Sequence, residues 1–413
     1  MDFRYVQSCP TCGAPIETAE ADRVIECMYC DVKNYMVQKR PLRFVLPHLV
    51  PQEIHADDII HIPYLRFKGN IFTAQGAALD YKIVDTTHLG FSSNKLPTSL
   101  GLRPQAMKVQ LVGAGHPGKF LKLTEKVKDI FTKAARLTDA FSDSSGEVYH
   151  RSFVGETISF IYLPVYYANS TLMDGILNRP VTKALSKSFV DKFTVPAERD
   201  WQPTFISTLC PNCAETMQGE KDSLALVCFN CTRVWIEEKG RFVEAEWAVI
   251  SGGKKSTCLP FWRLGVKFNG IDLSSFGDFL RVTNQPIVIR EKHDSMRLYL
   301  LLPAFKIRPK DYLSLAKNIT LSQGELTEGR NEFTDNLHPV TLPATEAAQS
   351  ISAVISHAVM NKRKFLPKLP EINYSITDQK LVYLPFHRMG NDLVQDQSFV
   401  SVAKSVLRFG KFL

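Results

Sequence analysis

The chain has 413 residues, of which 45% are hydrophobic and 22% charged, a composition that indicates folded domains rather than disorder and a length that allows two to four of them. No apolar run approaches the ~20 residues of a membrane-spanning helix, and the N-terminus lacks the basic-then-apolar pattern of a secretory signal. The net charge of +8 permits an anionic partner without requiring one.

The first forty residues contain two C-x-x-C pairs separated by fourteen residues, and the same frame recurs 201 residues later. Four thiolates in this spacing match a closed, tetrahedral four-cysteine site, so we predict two structural zinc ions. An iron–sulfur centre and redox-active thiols are the alternatives. Thiolate ligands require reducing conditions, which predicts a cytoplasmic location. The predicted ligands are Cys9, Cys12, Cys27 and Cys30, followed by Cys210, Cys213, Cys228 and Cys231.

A proline between aromatic and β-branched residues recurs four times and predicts strands, with each proline at a strand start, an edge or a bulge. The four segments are Ile62–Phe67, Tyr162–Tyr167, Leu259–Leu264 and Tyr383–Arg388. In three of them an arginine stands three residues after the proline: Arg66, Arg263 and Arg388. These arginines are candidates for a repeated anion-binding site. Local ion pairing or stacking on aromatic rings is the competing interpretation.

A glycine-rich segment, Gly113–Lys119, fits both G-x-G-x-x-G and G-x-x-x-x-G-K. Phe120 stands where a phosphate-binding loop places serine or threonine, and Pro117 removes one amide from the loop. The simpler interpretation is a glycine-rich turn that leads into a helix.

Apolar residues at helical spacing predict a helix over 120–141 with a basic face. Lys119, Lys122 and Lys126 are its candidate phosphate contacts, and a solvated helix face is the alternative. A second helix is predicted over 345–360 with Thr345 as its N-cap, followed by the basic run 361–364. Loops are expected at 141–146 and 322–339, and terminal helices at 181–193 and 399–412.

The order of these features predicts a β-rich α+β protein of two tandem pseudo-repeats, each a four-cysteine zinc ribbon followed by a small sheet-and-helix domain. The predicted boundaries are 1–40 for the first ribbon, 41–200 for its domain, 201–240 for the second ribbon and 241–413 for its domain. The polar segment 196–203, which contains two prolines, is the expected junction.

The cysteine frames resemble those of the zinc-ribbon superfamily, found in transcription, replication and translation factors and in scaffold proteins. That resemblance covers roughly residues 5–37 and 206–237. The Tyr-Leu-Pro-Phe type of strand, together with Leu302–Ile307, is similar to strands in poorly characterised bacterial zinc-ribbon proteins. The resemblance implies the zinc module and brings no catalytic residue with it.

Three functions remain open on the sequence. The favoured hypothesis is a non-catalytic binding or scaffold protein that docks a protein partner or assembly through duplicated surfaces. Sequence-tolerant nucleic-acid binding is the alternative, supported by the ribbons, the positive charge and the aromatic strands. A nucleotide-dependent enzyme that uses Gly113–Lys119 is the third.

Overall fold

Long antiparallel strands dominate the computed structural model, in which 41% of the described residues lie in strands and 19% in helices. The structure describes residues 3–125, 132, 146–251, 256–329, 332–333 and 336–410, except for the side chains of two of them, 156 and 199. Within these residues the chain divides into two units. The first contains 1–68, 84–141 and 157–207, and the second contains 69–83, 142–156 and 208–413. The finer division into four segments remains a prediction.

The elements of the first half are mainly strands. They are β1 (Arg4–Ser8), β2 (Pro15–Ala19), β3 (Val24–Glu26), β4 (Lys33–Val37), β5 (Leu42–Val45), β6 (Ile60–Gln75), β7 (Ala78–Leu89), α1 (Arg103–Ala106), β8 (Gln110–Leu111), β9 (Lys119–Leu121), β10 (Val148–Ala168), β11 (Thr171–Asp174), β12 (Pro180–Thr182), α2 (Lys187–Asp191) and β13 (Thr194–Val195), with 3-10 turns at Ala56–Asp58 and Arg199–Trp201.

The second half adds most of the helices. Its elements are β14 (Thr204–Ser207), β15 (Ala225–Cys228), β16 (Arg233–Glu238), β17 (Arg241–Glu244), β18 (Trp247–Val249), β19 (Thr257–Asn269), α3 (Phe276–Thr283), α4 (Glu291–Ser295), β20 (Tyr299–Pro303), α5 (Pro309–Leu321), α6 (Ala344–Gln349), α7 (Ile351–Ala358), α8 (Lys362–Phe365), a 3-10 turn (Leu366–Glu371), β21 (Asn373–Met389), β22 (Asp392–Gln395), β23 (Ser401–Ala403) and α9 (Lys404–Gly410). None of the described helices is both long and apolar enough to cross a membrane.

Two sheets carry the bulk of the chain. One has the strand order β12-β11-β10-β6-β9-β13, with β5 beside β10 and β8, and β7 beside β6. The other has the order β20-β19-β21-β22-β23, with β18 beside β21. A large apolar core lies under the second sheet and is closed by α3, α5 and α7, whose inward faces are Phe, Leu, Ile and Ala.

The two sheets share a register in their strand–strand–hairpin portion. In the first, Val45 of β5 pairs in parallel with Tyr162 of β10. In the second, Val249 of β18 pairs in parallel with Tyr383 of β21. The amide of the residue after each short strand then donates to that tyrosine's carbonyl, at 3.1 Å from Leu46 and 2.9 Å from Ile250.

The hairpins that follow β10 and β21 are also equivalent. Asp174 ends β11, and its side-chain oxygen accepts hydrogen bonds from the amides of Ile176 and Leu177 at 2.8 and 3.1 Å. Gln395 ends β22 and accepts from the amides of residues 397 and 398 in the same way. Four residues after each of them the backbone is left-handed, with φ of 50° at Asn178 and 57° at Phe399.

All four proline-aromatic segments lie inside long strands, β6, β10, β19 and β21. The prolines lie inside their strands, so of the three predicted placements the strand start is excluded. Three of the prolines nevertheless face the end of a neighbouring strand. The carbonyls of Pro63, Pro164 and Pro260 accept from Gly90, Gly175 and Ala304, the residues directly after β7, β11 and β20. The missing proline N–H therefore costs little, because the neighbouring ladder has ended there.

The helix predictions hold only in part. Lys119–Leu121 is strand β9, so a helix does not begin at Phe120, and residues 126–131 and 133–141 lie outside the described residues, as does most of the predicted loop 141–146. The predicted helix over 345–360 is two helices, α6 and α7, broken at Ser350, with Pro343 rather than Thr345 as N-cap. Both terminal helices begin later than predicted because β12 and β23 take up the first residues of the predicted segments in the hairpins.

Candidate metal centres

Two β-hairpins build the first cysteine cluster, and the turn of each hairpin begins with a cysteine. β1 and β2 flank the turn that carries Cys9 and Cys12, and β3 and β4 flank the turn that carries Cys27 and Cys30. In the first turn the amide of Gly13 donates to the carbonyl of Cys9 at 2.9 Å. Gly13 has a φ of 77°, the left-handed conformation that this turn requires.

The second cluster repeats this turn geometry. The amide of Ala214 donates to the carbonyl of Cys210 at 2.8 Å, and Ala214 has a φ of 61°. The residue that follows the last cysteine is left-handed in both clusters, with φ of 54° at Asp31 and 55° at Thr232. The second turn thus has the same fold with Ala214 in place of the glycine of the first turn, and the alanine adds backbone strain.

The sulfur positions fit a tetrahedral metal ion. Zn–S bonds of about 2.3 Å place tetrahedral sulfurs about 3.8 Å apart. In the first cluster Cys9 and Cys30 are 3.9 Å apart and Cys12 and Cys27 are 3.6 Å apart. The corresponding distances in the second cluster are 3.5 and 3.4 Å. These sulfurs are too far apart for disulfides and suitably placed for one ion per cluster.

Each cluster has one buried cysteine in each pair and a more exposed partner. Burial raises the pKa of Cys9, but the amides of Cys12 and Thr11 lower it to about 6 on balance. The amide of Val32 lowers the pKa of Cys30, whereas burial and the neighbouring sulfurs raise it to about 12. The metal-free cluster therefore retains protons that an ion must displace, and four protein sulfurs leave no open coordination position for water or substrate.

The strand that precedes the second cysteine cluster pairs with a strand of the first ribbon. Counting by the 201-residue offset, β14 occupies the place before Cys210 that β1 occupies before Cys9. β1 pairs with β2 of its own ribbon, but β14 pairs with β4, from Thr204 opposite Val37 to Ser207 opposite Asn34. Among the described residues of the second ribbon, the bridge between Leu209 and Thr216 corresponds to the pairing of Ser8 with Pro15 in the first. The third strand of the second ribbon's sheet is β17 instead.

The three arginines predicted from the sequence differ in burial and in their binding partners. Arg66 is 1% exposed, binds Asp85 through two hydrogen bonds of 2.7 Å and contacts Glu20, with its guanidinium 3.9 Å from the ring of Phe3. Arg263 binds Glu328 at 2.6 Å and lies over the ring of Tyr299.

Arg388 is exposed and donates to the carbonyl of Gly390. Arg263 pairs with Lys380 in the strand register, eight residues from Arg388 along β21, which corresponds to roughly 27 Å. The structure therefore does not bring Arg263 and Arg388 together, and Arg66 is occupied by two carboxylates.

The Gly113–Lys119 segment connects β8 to β9 and leads into a strand rather than a helix. A Cβ on Gly118 would lie 2.7 Å from the carbonyl oxygen of Ile59, so the loop is packed against the preceding chain. Lys119 forms an ion pair with Asp191 at 3.0 Å. Lys122 is exposed at the end of β9, and Lys126 lies outside the described residues.

Sequence reasoning missed a buried arginine, Arg43, which β5 places among aromatic side chains. The signal was a single charged residue inside the apolar run Leu42–Leu46.

Comparison with models of known protein families, with curated proteins and with solved structures gave no significant match for this chain.

Proposed function

We propose that this chain is a non-catalytic binding protein of the reducing cytoplasm, in which two zinc-loaded four-cysteine ribbons, related by tandem duplication, hold docking surfaces for a protein partner. The duplication is supported by the shared cysteine offset, strand register and hairpin turns of the two halves. Zinc is supported by four sulfurs at tetrahedral separations in each cluster. A metal site closed by protein ligands is suited to holding a shape rather than to catalysis.

The observation that carries the docking function is the exposure of two large apolar side chains between zinc-site cysteines. Met28 and Tyr29 lie between Cys27 and Cys30, and they are 92% and 71% exposed. A turn with its ends held by metal ligands loses little conformational entropy when it binds, which favours its use as an anchor. Tyr and Met are among the side chains enriched at protein interfaces.

The second ribbon is not equivalent in this respect. Phe229, at the position of Met28 by the 201-residue offset, packs edge-on against Phe333 with ring centroids 5.4 Å apart. Phe333 in turn stacks on Trp247 at 4.3 Å. The second turn is therefore anchored to its own unit, and we assign the docking role to the first ribbon. The expected partner is a protein with an apolar recess that receives Met28 and Tyr29.

The test is co-purification from the native host with tagged protein in three forms. The wild type is compared with a Met28→Ser, Tyr29→Ser double variant and with a Leu49→Ser, Leu102→Ser control, in which both residues are 75% exposed. We expect a stoichiometric protein partner that is lost from the first variant and kept by the control, with zinc content unchanged in all three.

Equal recovery of the partner by all three forms would contradict the assignment to Met28 and Tyr29. Titration of the purified protein with single- and double-stranded DNA and RNA across a salt series tests the alternative. Micromolar or tighter binding with a steep dependence of affinity on salt would establish nucleic-acid binding in place of protein docking.

A further inference from the structure

A cleft of about 290 Å³ lies in the first unit, beside β5, β9 and β10. Its polar lining combines three cationic side chains, two aromatic ones with a hydrogen-bonding atom, and one carboxylate: Arg40, Arg43, Lys122, Tyr162, Trp201 and Glu198. Leu121, Leu123 and Val195 supply an apolar wall. The lining thus offers positive charge next to an apolar surface, as a small organic anion requires.

Arg43 is the central feature of this cleft. It is 8% exposed, and its guanidinium carbon lies 4.1 Å from the ring centre of Trp201 and 4.7 Å from that of Phe160. One terminal nitrogen donates to the hydroxyl of Tyr162. Its Nε is buried and has no hydrogen-bond partner among the described residues, none of which pairs a carboxylate with Arg43.

A buried guanidinium without a counterion is costly, because aromatic faces replace only part of its hydration. Arg66 shows the usual solution in the same unit, since two carboxylates surround it. Arg43 is also buried, at 8% exposure against 1% for Arg66, but without a paired carboxylate among the described residues. Stacking holds the guanidinium plane in place. Because Nη1 donates to Tyr162 and Nε is buried, Nη2 and the second N–H of Nη1 are the natural contacts for two oxygens of one ligand.

The charges around the cleft favour an anion. Arg40 is balanced by Asp200 at 2.8 Å and lies 3.9 Å from Glu198, which also accepts a hydrogen bond from Trp201 at 3.0 Å. Lys122 is exposed and has no ion pair among the described residues. Three cations, Arg40, Arg43 and Lys122, thus stand against two carboxylates, Asp200 and Glu198, and the cleft keeps a net positive charge of one. Neither Arg43 nor Lys122 forms an ion pair with a carboxylate of the described residues.

We propose that this cleft binds a small organic oxyanion, a phosphate monoester or a carboxylate, with Arg43 as the bidentate donor and Lys122 as the second cation. The site is independent of the docking surface on the first ribbon. Phosphate and carboxylate share the chemistry that a guanidinium recognises, and the two sources are separated by the choice of probe.

The experiment is calorimetric titration of the zinc-loaded protein with phenyl phosphate, benzoate and inorganic phosphate, at about 0.15 M salt to screen weak surface binding. We expect saturable one-to-one binding of at least one probe and a rise in melting temperature in its presence. Stronger binding of phenyl phosphate identifies a phosphate monoester as the ligand class, and stronger binding of benzoate identifies a carboxylate.

Two variants test the assigned residues. Arg43→Met retains the length and apolar contacts of the side chain and should weaken binding at least about tenfold, since a charge-assisted bidentate contact is lost. Lys122→Glu reverses an exposed charge without disturbing the core and should also weaken binding. Lys364→Glu, on α8, is the matched control and should leave affinity unchanged.

The proposal is overturned if no probe binds the wild type saturably at millimolar concentration. It is also overturned if Lys122→Glu binds as tightly as the wild type and the Lys364→Glu control, a result that does not depend on whether Arg43→Met folds.

Discussion

Individual residues in this protein show how one position can carry strain in one ribbon and none in its counterpart. Gly13 and Ala214 occupy the same place in their turns, with φ of 77° and 61°. An L-residue pays roughly 1–2 kcal/mol in the left-handed region, whereas glycine pays nothing there.

We therefore expect Ala214→Gly to stabilise the zinc-loaded second ribbon by about 0.5–1 kcal/mol and Gly13→Ala to destabilise the first by a similar amount. Hydrogen exchange of the ribbon amides measures both changes. Ala14→Gly, at a position without positive φ, is the control and should be mildly destabilising. Stabilisation by Ala14→Gly equal to that by Ala214→Gly would show that left-handed strain is not the cause.

The three arginines of the proline-aromatic strands allow a second residue-scale prediction. Arg66→Ala removes the cation between Glu20 and Asp85, and Glu20 is 2% exposed. Loss of a buried partner leaves uncompensated charge, so we expect a loss of about 3–5 kcal/mol in unfolding free energy. Arg263→Ala, on a half-buried pair, should cost about 1 kcal/mol or less. Chemical denaturation compares the two, and equal effects would contradict a structural role specific to Arg66.

At the scale of elements, the short strands of the two ribbons make their stability depend on the proposed metal ions. The first ribbon consists of four strands of three to five residues, of which β1 and β2 have one buried residue each. Such short hairpins are marginal on their own, so under the proposed zinc assignment we expect metal binding to supply much of their folding free energy.

We expect the purified protein to contain two zinc ions per chain and Cys213→Ser to contain one. Hydrogen exchange should accelerate in the second ribbon and remain slow in the first. Cys258→Ala, which alters the one cysteine outside the clusters, should keep both ions. Native mass spectrometry counts the ions. Retention of two ions by Cys213→Ser, or protected amides in its second ribbon, would contradict the assignment.

At the scale of the whole molecule, the units are not simply the two halves of the sequence. Strands β6 and β10 continue beyond the first unit, and residues 69–83 and 142–156 belong to the second. Phe72, Ala74 and Val154 from these segments are buried in the second unit's core, with Phe72 6.4 Å from Tyr312 between ring centres. The second half of the sequence therefore lacks part of the core around which it folds.

Two changes test this dependence. Phe72→Ala should lower the stability of the second unit by about 3–5 kcal/mol, as expected for a large buried side chain. A fragment of residues 208–413 should expose apolar surface and bind a hydrophobic dye. Tyr81→Ala, at a 40% exposed position in the same segment, is the control and should have little effect. A fragment that unfolds as cooperatively as the intact protein would show that the segment is dispensable.

Local patterns in the sequence determined the cysteine clusters, the β-rich character and the strand identity of the proline-aromatic segments. Each of these depends on spacing within a few residues: two cysteines in a turn, or alternating aromatic and β-branched side chains. The helix expected from Phe120 was wrong at its start because tertiary pairing decided it. β9 pairs with β6 and β13, and these contacts override a helical periodicity.

Only the tertiary structure decided the features that depend on distant partners. Arg66 and Arg43 look alike in sequence, each a lone arginine in an apolar strand. Glu20 and Asp85 neutralise one, and Trp201 and Tyr162 surround the other without a carboxylate. The exchange of β14 onto β4, and of residues 69–83 into the second core, likewise join segments far apart in the chain. The physical reason is that burial and counter-charge are set by the fold, while turn geometry and metal-ligand spacing are set locally.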